Sequence, residues 1–427
     1  MQPKERKPFD LVTPIANMLM FLKKQISLYN TPESKINAVI RATNLHNAEN
    51  ELPTFLHKSP TDGGEVLTYK LPPGIIKQDF LDRREHFETF GSFQTEYTCN
   101  NSPYLKISTY KNSFPDNIPF TYNYNPKHGL APLPLGKLPN GKDYIIDLSQ
   151  MPHMCIGGMT GYGKTSLLLA LAVALKQAGC MVIVADHKKL DFPKLADYLT
   201  ISLHEKDTLK ILQSLLIEME RRLNLLSGKA QKIQDYHDEH LPYIVLIVDE
   251  LTTIDSKEIQ TAIHEIAARG RAPGISLILA TQKPSAKIWD GFTDTRDLCT
   301  ARLSFYVSDY FMSQTILGKG NTRACSLPQK PGRAVIAIGD EEHMIQTMFI
   351  DANTALTELE KIGKGEMLNV EEQYPIWTPK ETGNSQPDTD IWCADNQANS
   401  ADSFYGEEQG KNCSKGIKRT GKRKKIK

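Results

Sequence analysis

Residues 157–179 read GGMTGYGKTSLLLALAVALKQAG, a glycine-studded turn that opens without a break into a long apolar run. Few features constrain a fold as tightly. Glycine at 158, 161 and 163 permits backbone conformations that a Cβ would resist, so successive N–H groups can point at a common centre. A helix starting at Lys164 adds the partial positive charge of its N-terminus to that centre. Gly158, Gly163, Lys164 and Thr165 satisfy G-x-x-x-x-G-K-[ST]. An apolar strand-like run (MCIGG) precedes them and a helix follows, the setting in which that spacing holds phosphates. The nucleotide-binding set read from it is Gly158, Met159, Thr160, Gly161, Tyr162, Gly163, Lys164, Thr165 and Ser166. Lys164 is expected to reach the β- and γ-phosphates of ATP, and the Thr165 hydroxyl to be a Mg2+ ligand.

Downstream, short apolar runs (MVIVAD, YLTIS, YIVLIVDE, ISLILATQ, ARLSFYV, GRAVIAI) alternate with predicted helices over 164–178, 205–227 and 255–270. Continuous apolar strands between helices imply a parallel sheet covered on both faces, an α/β fold. Upstream, residues 1–60 read as helical, with TPESKINAVIRATNLHNAENEL capped by Thr31. Residues 61–130 read as a small α/β domain. In it GEVLTYKL, SFQTEYT and YLKISTY alternate as strands around a helix in PPGIIKQDFLDRREHFETF. The phosphate-loop domain is placed at 131–364. Residues 365–427 turn polar and read as a disordered tail. Its last 17 residues hold nine Lys or Arg and no acid.

Net charge is +1, so any contact with nucleic acid must rely on local patches such as that basic terminus. The seven cysteines are scattered, with no CxxC pair, which suits a reduced, cytoplasmic protein better than a disulfide scaffold or a zinc site. The longest apolar stretches, 167–175 and 241–248, are too short to span a bilayer. The segment FDLVTPIANMLMFLKKQISL reads as an amphipathic helix for core packing or partner docking.

The remaining chemistry falls at strand ends. YIVLIVDE ends in Asp249, expected to help hold Mg2+, and Glu250, expected to polarise the attacking water as general base. LILATQKPS holds a strand whose end carries Thr281 and Gln282, and the Gln282 amide can bond both the γ-phosphate and the lytic water. ARGRAPG places Arg269 and Arg271 at a helix end, where they complement its dipole or, for Arg271, act as a finger in a neighbouring subunit's site. Arg302 is a second candidate for that role. Asp186 and Lys188, in VADHKKLDF, either order the nucleotide site, make a subunit contact or cap a strand end. His153 and His187 lack metal-ligand spacing and read as structural.

LGKLPNGKDYIIDLSQMPHMCIGGMTGYGKTS, VADHKKLDF, YIVLIVDE, AARGRAPGISLILATQKPS and ARLSFYVSDYFMSQTILGKG together resemble the motor domain of the FtsK/SpoIIIE family of DNA translocases. MPH before the loop and ATQKPS after the acidic strand are specific to that resemblance. It implies a RecA-like P-loop NTPase of the additional-strand type. It also implies a ring, usually a homo-hexamer, that threads double-stranded DNA and hydrolyses ATP at subunit interfaces. By position it makes Gln282 the sensor and an arginine near 271 the completing residue of the neighbouring site. Residues 62–112 resemble the small domain before the motor in relatives from conjugative elements. With no membrane helices read in this chain, the resemblance points to transfer or maintenance of a mobile element, plasmid or phage, with recruitment by a membrane or transfer-complex partner. The alternatives are an ATP-gated DNA-binding or replication protein that does not translocate, and a protein-secretion ATPase. His187 stands where the family often has Pro, and Gln314 where relatives commonly have Arg.

Overall fold

The computed structural model describes residues 31–99, 102–110, 114, 117–237, 241–282, 291–339 and 341–362. The amphipathic N-terminal segment and the polar, basic tail lie outside the described residues.

Helix α1 (Pro32–Ala42) starts as its sequence directs: the Thr31 hydroxyl accepts from Ser34 N–H at 3.2 Å, and Pro32 occupies the first turn. Ile36, Val39 and Ile40 are buried together on one face. The helical reading beyond Ala42 is corrected by the structure. Asn44 turns left-handed at φ 50°, and the Asn47 carboxamide accepts from the N–H of Glu49 and Glu51 at 3.0 and 2.8 Å. Such a side-chain turn competes with the helix for the same backbone donors. The chain then forms β1 (Thr54–Thr61), which a tight turn joins to β2 (Gly64–Lys70). The single helix expected next is broken into α2 (Lys77–Leu81) and α3 (Arg84–Gly91), whose Phe80 and Phe87 rings stack at 5.8 Å. Strands β3 (Gln94–Thr98) and β4 (Tyr104–Tyr110) complete an antiparallel sheet of order β1-β2-β4-β3.

The second sheet has ten strands. After β5 (Ile118–Pro119) come the hairpin β6 (Pro132–Lys137) and β7 (Asp143–Asp147), then β8 (Met154–Gly157), α4 (Lys164–Gln177), β9 (Met181–Ala185) and β10 (Thr200–Ser202). Helix α5 (Glu205–Leu226), β11 (Ile244–Val248), α6 (Lys257–Arg269), β12 (Ile275–Thr281), α7 (Thr293–Leu298) and β13 (Ala301–Phe305) follow. The chain closes with α8 (Tyr310–Leu317), β14 (Arg333–Ile338), β15 (Glu341–Gln346), β16 (Met348–Phe349) and α9 (Ala352–Ile362). The order is β10-β9-β11-β12-β8-β13-β14-β15-β6-β7. The parallel expectation holds from β10 to β13; β14, β15, β6 and β7 extend the sheet antiparallel.

Every residue of β11 is buried, and successive residues supply opposite cores. Val245 and Ile247 pack on the α4 side, and Ile244, Leu246 and Val248 pack with Leu215 of α5 and Ile263 of α6. Helix α4 is buried from Leu167 to Leu175, covered on its outer side by Ala355 and Leu359 of α9. That explains why its sequence is apolar all round rather than striped.

Buried charge joins the two sheets. Arg84 of α3 and Arg323 both reach Glu342 of β15, at 2.5 and 2.7 Å, and His343 meets Glu96 of β3 at 3.0 Å. Burial alone would raise the Glu342 pKa; the two guanidinium groups outweigh it and bring it down to about 2. His153 is buried with φ 64°, and its Nδ1 accepts from Leu277 N–H at 3.1 Å, a structural placement as its sequence suggested. Burial lowers its pKa to about 4. Cys99, Cys155, Cys180, Cys299 and Cys325 are free. Among the described residues no helix is long and apolar enough to cross a membrane.

Candidate active site

Strands β8, β9, β11 and β12 run parallel, so their C-terminal ends open on one edge of the sheet. Register places Gly157 beside Thr281, and Val248 between Ala185 and Leu279. A crevice beyond the carboxyl ends of parallel strands is where α/β folds bind ligands. Residues 158–163 enter it from β8 and leave through α4.

The loop is seated by neighbours on both sides. Met159 N–H donates to Tyr306 O at 3.1 Å, and Gly332 N–H donates to Tyr162 O at 2.8 Å. A Cβ on Gly158 would lie 2.6 Å from that of Phe305, so only glycine passes there. Gly163 is the N-cap of α4 at φ 106° and supplies no side-chain cap. The first-turn N–H groups of the helix thus keep no capping oxygen and are available to an anion. Lys164 is buried at the head of α4, its Nζ donating to Asp249 O at 2.6 Å and to Asp249 Oδ1 at 3.0 Å. Burial lowers its pKa, and the charges of Asp249 and Glu250 partly restore it.

Glu250 is 4% exposed and heavily bonded. Its Oε1 accepts from Thr281 Oγ1 at 2.8 Å, and its Oε2 from Lys188 Nζ at 2.9 Å. Gln282 N–H donates to both oxygens, at 3.2 and 3.0 Å. Burial would raise its pKa, but the Lys188 hydrogen bond and the two lysine charges prevail and hold it below the usual carboxylate value. The Gln282 carboxamide in turn accepts from Thr160 Oγ1 at 2.8 Å. The phosphate loop, the acidic strand end and the Gln282 strand end form one connected network.

A divalent ion of the nucleotide-bound kind needs one or two protein oxygens, the rest coming from phosphate and water. Asp249 and Thr165 fit that need: both carry hard oxygen ligands, one at the end of β11 and one in the first turn of α4. Among the described residues no cluster of three or more His, Cys, Asp or Glu could hold a metal by itself.

The family model described as FtsK/SpoIIIE family matches residues 123–240, which take in β6 through α5 and contain the loop. The DNA translocase FtsK of Treponema pallidum (strain Nichols) is 34% identical over 207 residues, covering 44% of this chain and 26% of that protein. Residues 123–240 are thus similar to the FtsK/SpoIIIE family. The DNA translocase FtsK of Haemophilus influenzae is 29% identical over 284 residues, 55% of this chain and 53% of that protein. The chain thus spans about a quarter to half the length of these curated relatives. Among solved structures, that of the pCW3 conjugation coupling protein TcpA, a monomer form with ATPγS, superposes with a TM-score of 0.53 at 20% identity, over 78% of this chain and 99% of that one. At that identity the likeness is one of fold.

Around the loop, the structure brings Thr160, Lys164, Asp249, Glu250, Thr281 and Gln282 together. Four residues stand differently from the simple sequence reading. The N–H of Met159 is already bonded to Tyr306 O. The Ser166 hydroxyl donates to Ile350 O and accepts from Ile350 N–H, both at 2.7 Å, which ties α4 to the start of α9. Arg271 and Arg302 lie at the N-terminal ends of β12 and β13, a strand length away from the crevice of their own chain. Arg271 is exposed, whereas Arg302 donates to Cys299 O at 3.3 Å and faces Asp297 at 3.5 Å. Tyr306 and Gly332, which seat the loop through backbone groups, received no role from the sequence.

Proposed function

We propose that the motor hydrolyses ATP and moves along double-stranded DNA, serving transfer or maintenance of a mobile element, plasmid or phage. The observation that carries the reading is the chain of bonds from Thr160 through Gln282 to Glu250. It links the group that would sense a γ-phosphate to the group that would deprotonate water. Gly158 to Thr165 would cradle the phosphates and Lys164 would neutralise them. Gln282 would orient the water, and Glu250 would take its proton. Mg2+, held by Thr165 and Asp249, would neutralise charge on the transferring phosphoryl group.

The edge position of Arg271 and Arg302 favours a ring of like subunits, a homo-hexamer in the family's usual form. In a head-to-tail ring the edge that is remote from a subunit's own crevice can face the neighbour's. Arg271, exposed at that edge, is the better candidate to act in trans. The FtsK relatives support DNA as the substrate, and the TcpA likeness supports the mobile-element role. The TcpA superposition covers more of this chain than everything from residue 131 onward, so it takes in part of the N-terminal domain. The basic terminal residues would add salt-sensitive phosphate contacts. A cytoplasmic setting, with recruitment by a membrane or transfer-complex partner, completes the proposal.

The test is steady-state ATP turnover with and without long linear duplex DNA, at low and moderate salt. Stimulation that grows with duplex length supports a tracking motor. A rate indifferent to DNA removes translocation and leaves an ATP-gated switch or a protein substrate.

A further inference from the structure

One charged side chain in the crevice has no part in the chemistry above. Lys188 reaches in from the end of β9, with its Nζ 2.9 Å from Glu250 Oε2 and 3.8 Å from Asp249 Oδ2. Its root is fixed from three sides. The buried Asp186 carboxylate accepts from the N–H groups of Lys188, Lys189 and Leu190, at 3.1, 3.0 and 3.3 Å. The His187 ring is held between Thr253 Oγ1 at 3.1 Å and Thr208 Oγ1 at 2.8 Å. Its head is less confined: the Lys188 side chain is 24% exposed, against 4% for that of Glu250.

A carboxylate offers about four lone-pair sites. In Glu250, Oε1 accepts from Thr281 Oγ1, Gln282 N–H and, at 3.5 Å, Thr252 N–H, while Oε2 accepts from Gln282 N–H and Lys188. A general base needs a free lone pair to receive a proton. Thr281 and Gln282 stand at the end of β12, a central strand, and cannot withdraw without disturbing the sheet. Lys188 carries its donor on a four-carbon stem with three rotatable N–H groups. It is the donor that can leave, and an incoming phosphate is an anion that competes for it.

We propose that Lys188 is a positioning residue that latches Glu250: it occupies the oxygen needed by the lytic water and must release it before ATP is cleaved. The proposal rests on the ATPase reading. It is tested on the full chain by ATP turnover without DNA and by affinity for a fluorescent ATP analogue. The proteins compared are wild type, Lys188→Met, Lys188→Arg, and Lys188→Met combined with Glu250→Gln. Lys188→Met is expected to raise DNA-free turnover about three- to tenfold, with nucleotide affinity within about twofold. Lys188→Arg keeps the charge and should stay within about twofold of wild type in both. The gain should vanish in the double variant, because it acts through Glu250. Should Lys188→Met not fold, Lys188→Gln carries the same expectation. Turnover of a folded, nucleotide-binding Lys188→Met at or below the wild-type rate overturns the latch alone. No ATP turnover by wild type or by any Lys188 variant overturns the ATPase reading and the latch together.

Discussion

The hydroxyl of Thr160 donates to the side-chain oxygen of Gln282 at 2.8 Å, across 122 residues of sequence. It joins the tip of the phosphate loop to the end of β12, whose next backbone N–H toward the crevice, that of Gln282, holds Glu250. A shift of the loop on phosphate binding therefore reaches the candidate base through one side chain. Gln282→Ala is expected to lower ATP turnover by about 10²-fold while nucleotide affinity stays within about threefold. Single-turnover hydrolysis beside equilibrium binding checks it; an equal loss in both would make Gln282 a binding residue.

Lys164 and Glu250 should separate binding from chemistry. Lys164 is buried against Asp249 and its charge has no substitute in the loop. Lys164→Ala should weaken nucleotide binding by about 10²-fold or more. Glu250→Gln keeps the hydrogen-bonding shape but loses the proton acceptor, so it should bind nucleotide and turn over about 10²- to 10⁴-fold more slowly. Calorimetric binding together with phosphate release distinguishes the two, and brisk hydrolysis by Glu250→Gln would remove that residue as the base.

Arg271 projects from the edge opposite its own crevice. If it completes a neighbour's site, Arg271→Ala protein and Lys164→Ala protein should each be inactive alone and partly active when mixed. Mixed interfaces would pair an intact loop with an intact arginine. Titrating one variant into the other at constant total protein gives a bell-shaped rate curve on this reading and a flat line otherwise.

The Glu342 contact predicts acid sensitivity where the two sheets meet. Its folded pKa, about 2, is depressed from the ordinary 4.5. The stability it contributes is therefore present above about pH 4.5 and lost as pH falls through about 2. At neutral pH, Glu342→Gln leaves Arg84 and Arg323 buried without their shared partner and should cost about 3 kcal/mol. Thermal melts from pH 7 to pH 2 should show wild type converging on the variant at the acid end. Parallel curves would place the effect elsewhere.

How much of this was legible beforehand differs by element, for physical reasons. The loop and the acidic strand could be read because phosphate chemistry demands glycine, lysine and hydroxyl at fixed offsets, and because β11 is buried on both faces. Strand β15 was missed: Glu341, Glu342 and His343 face charged partners or solvent rather than a core, so its first half lacks an apolar alternation. The break between α2 and α3 went unread because Leu81 to Arg84 holds no Gly or Pro. The separation of Arg271 and Arg302 from their own crevice follows from strand direction alone, since both precede or begin their strands. Lys188 was visible as a strand-end charge, but its partner Glu250 lies 62 residues away and only the fold brings them together.

Ser166 has a practical consequence for where this protein can be cut. Its hydroxyl makes two bonds with Ile350, so the turn that bears Lys164 and Thr165 is fastened to chain 184 residues further on. Helix α9, immediately after that fastening, covers α4 with Ala355 and Leu359. Trimming into α9 would expose the apolar flank of α4, and trimming past Ile350 would undo the fastening as well. A truncation series should thus show nucleotide binding fail at a sharp boundary inside α9, far in sequence from any residue that would contact the nucleotide.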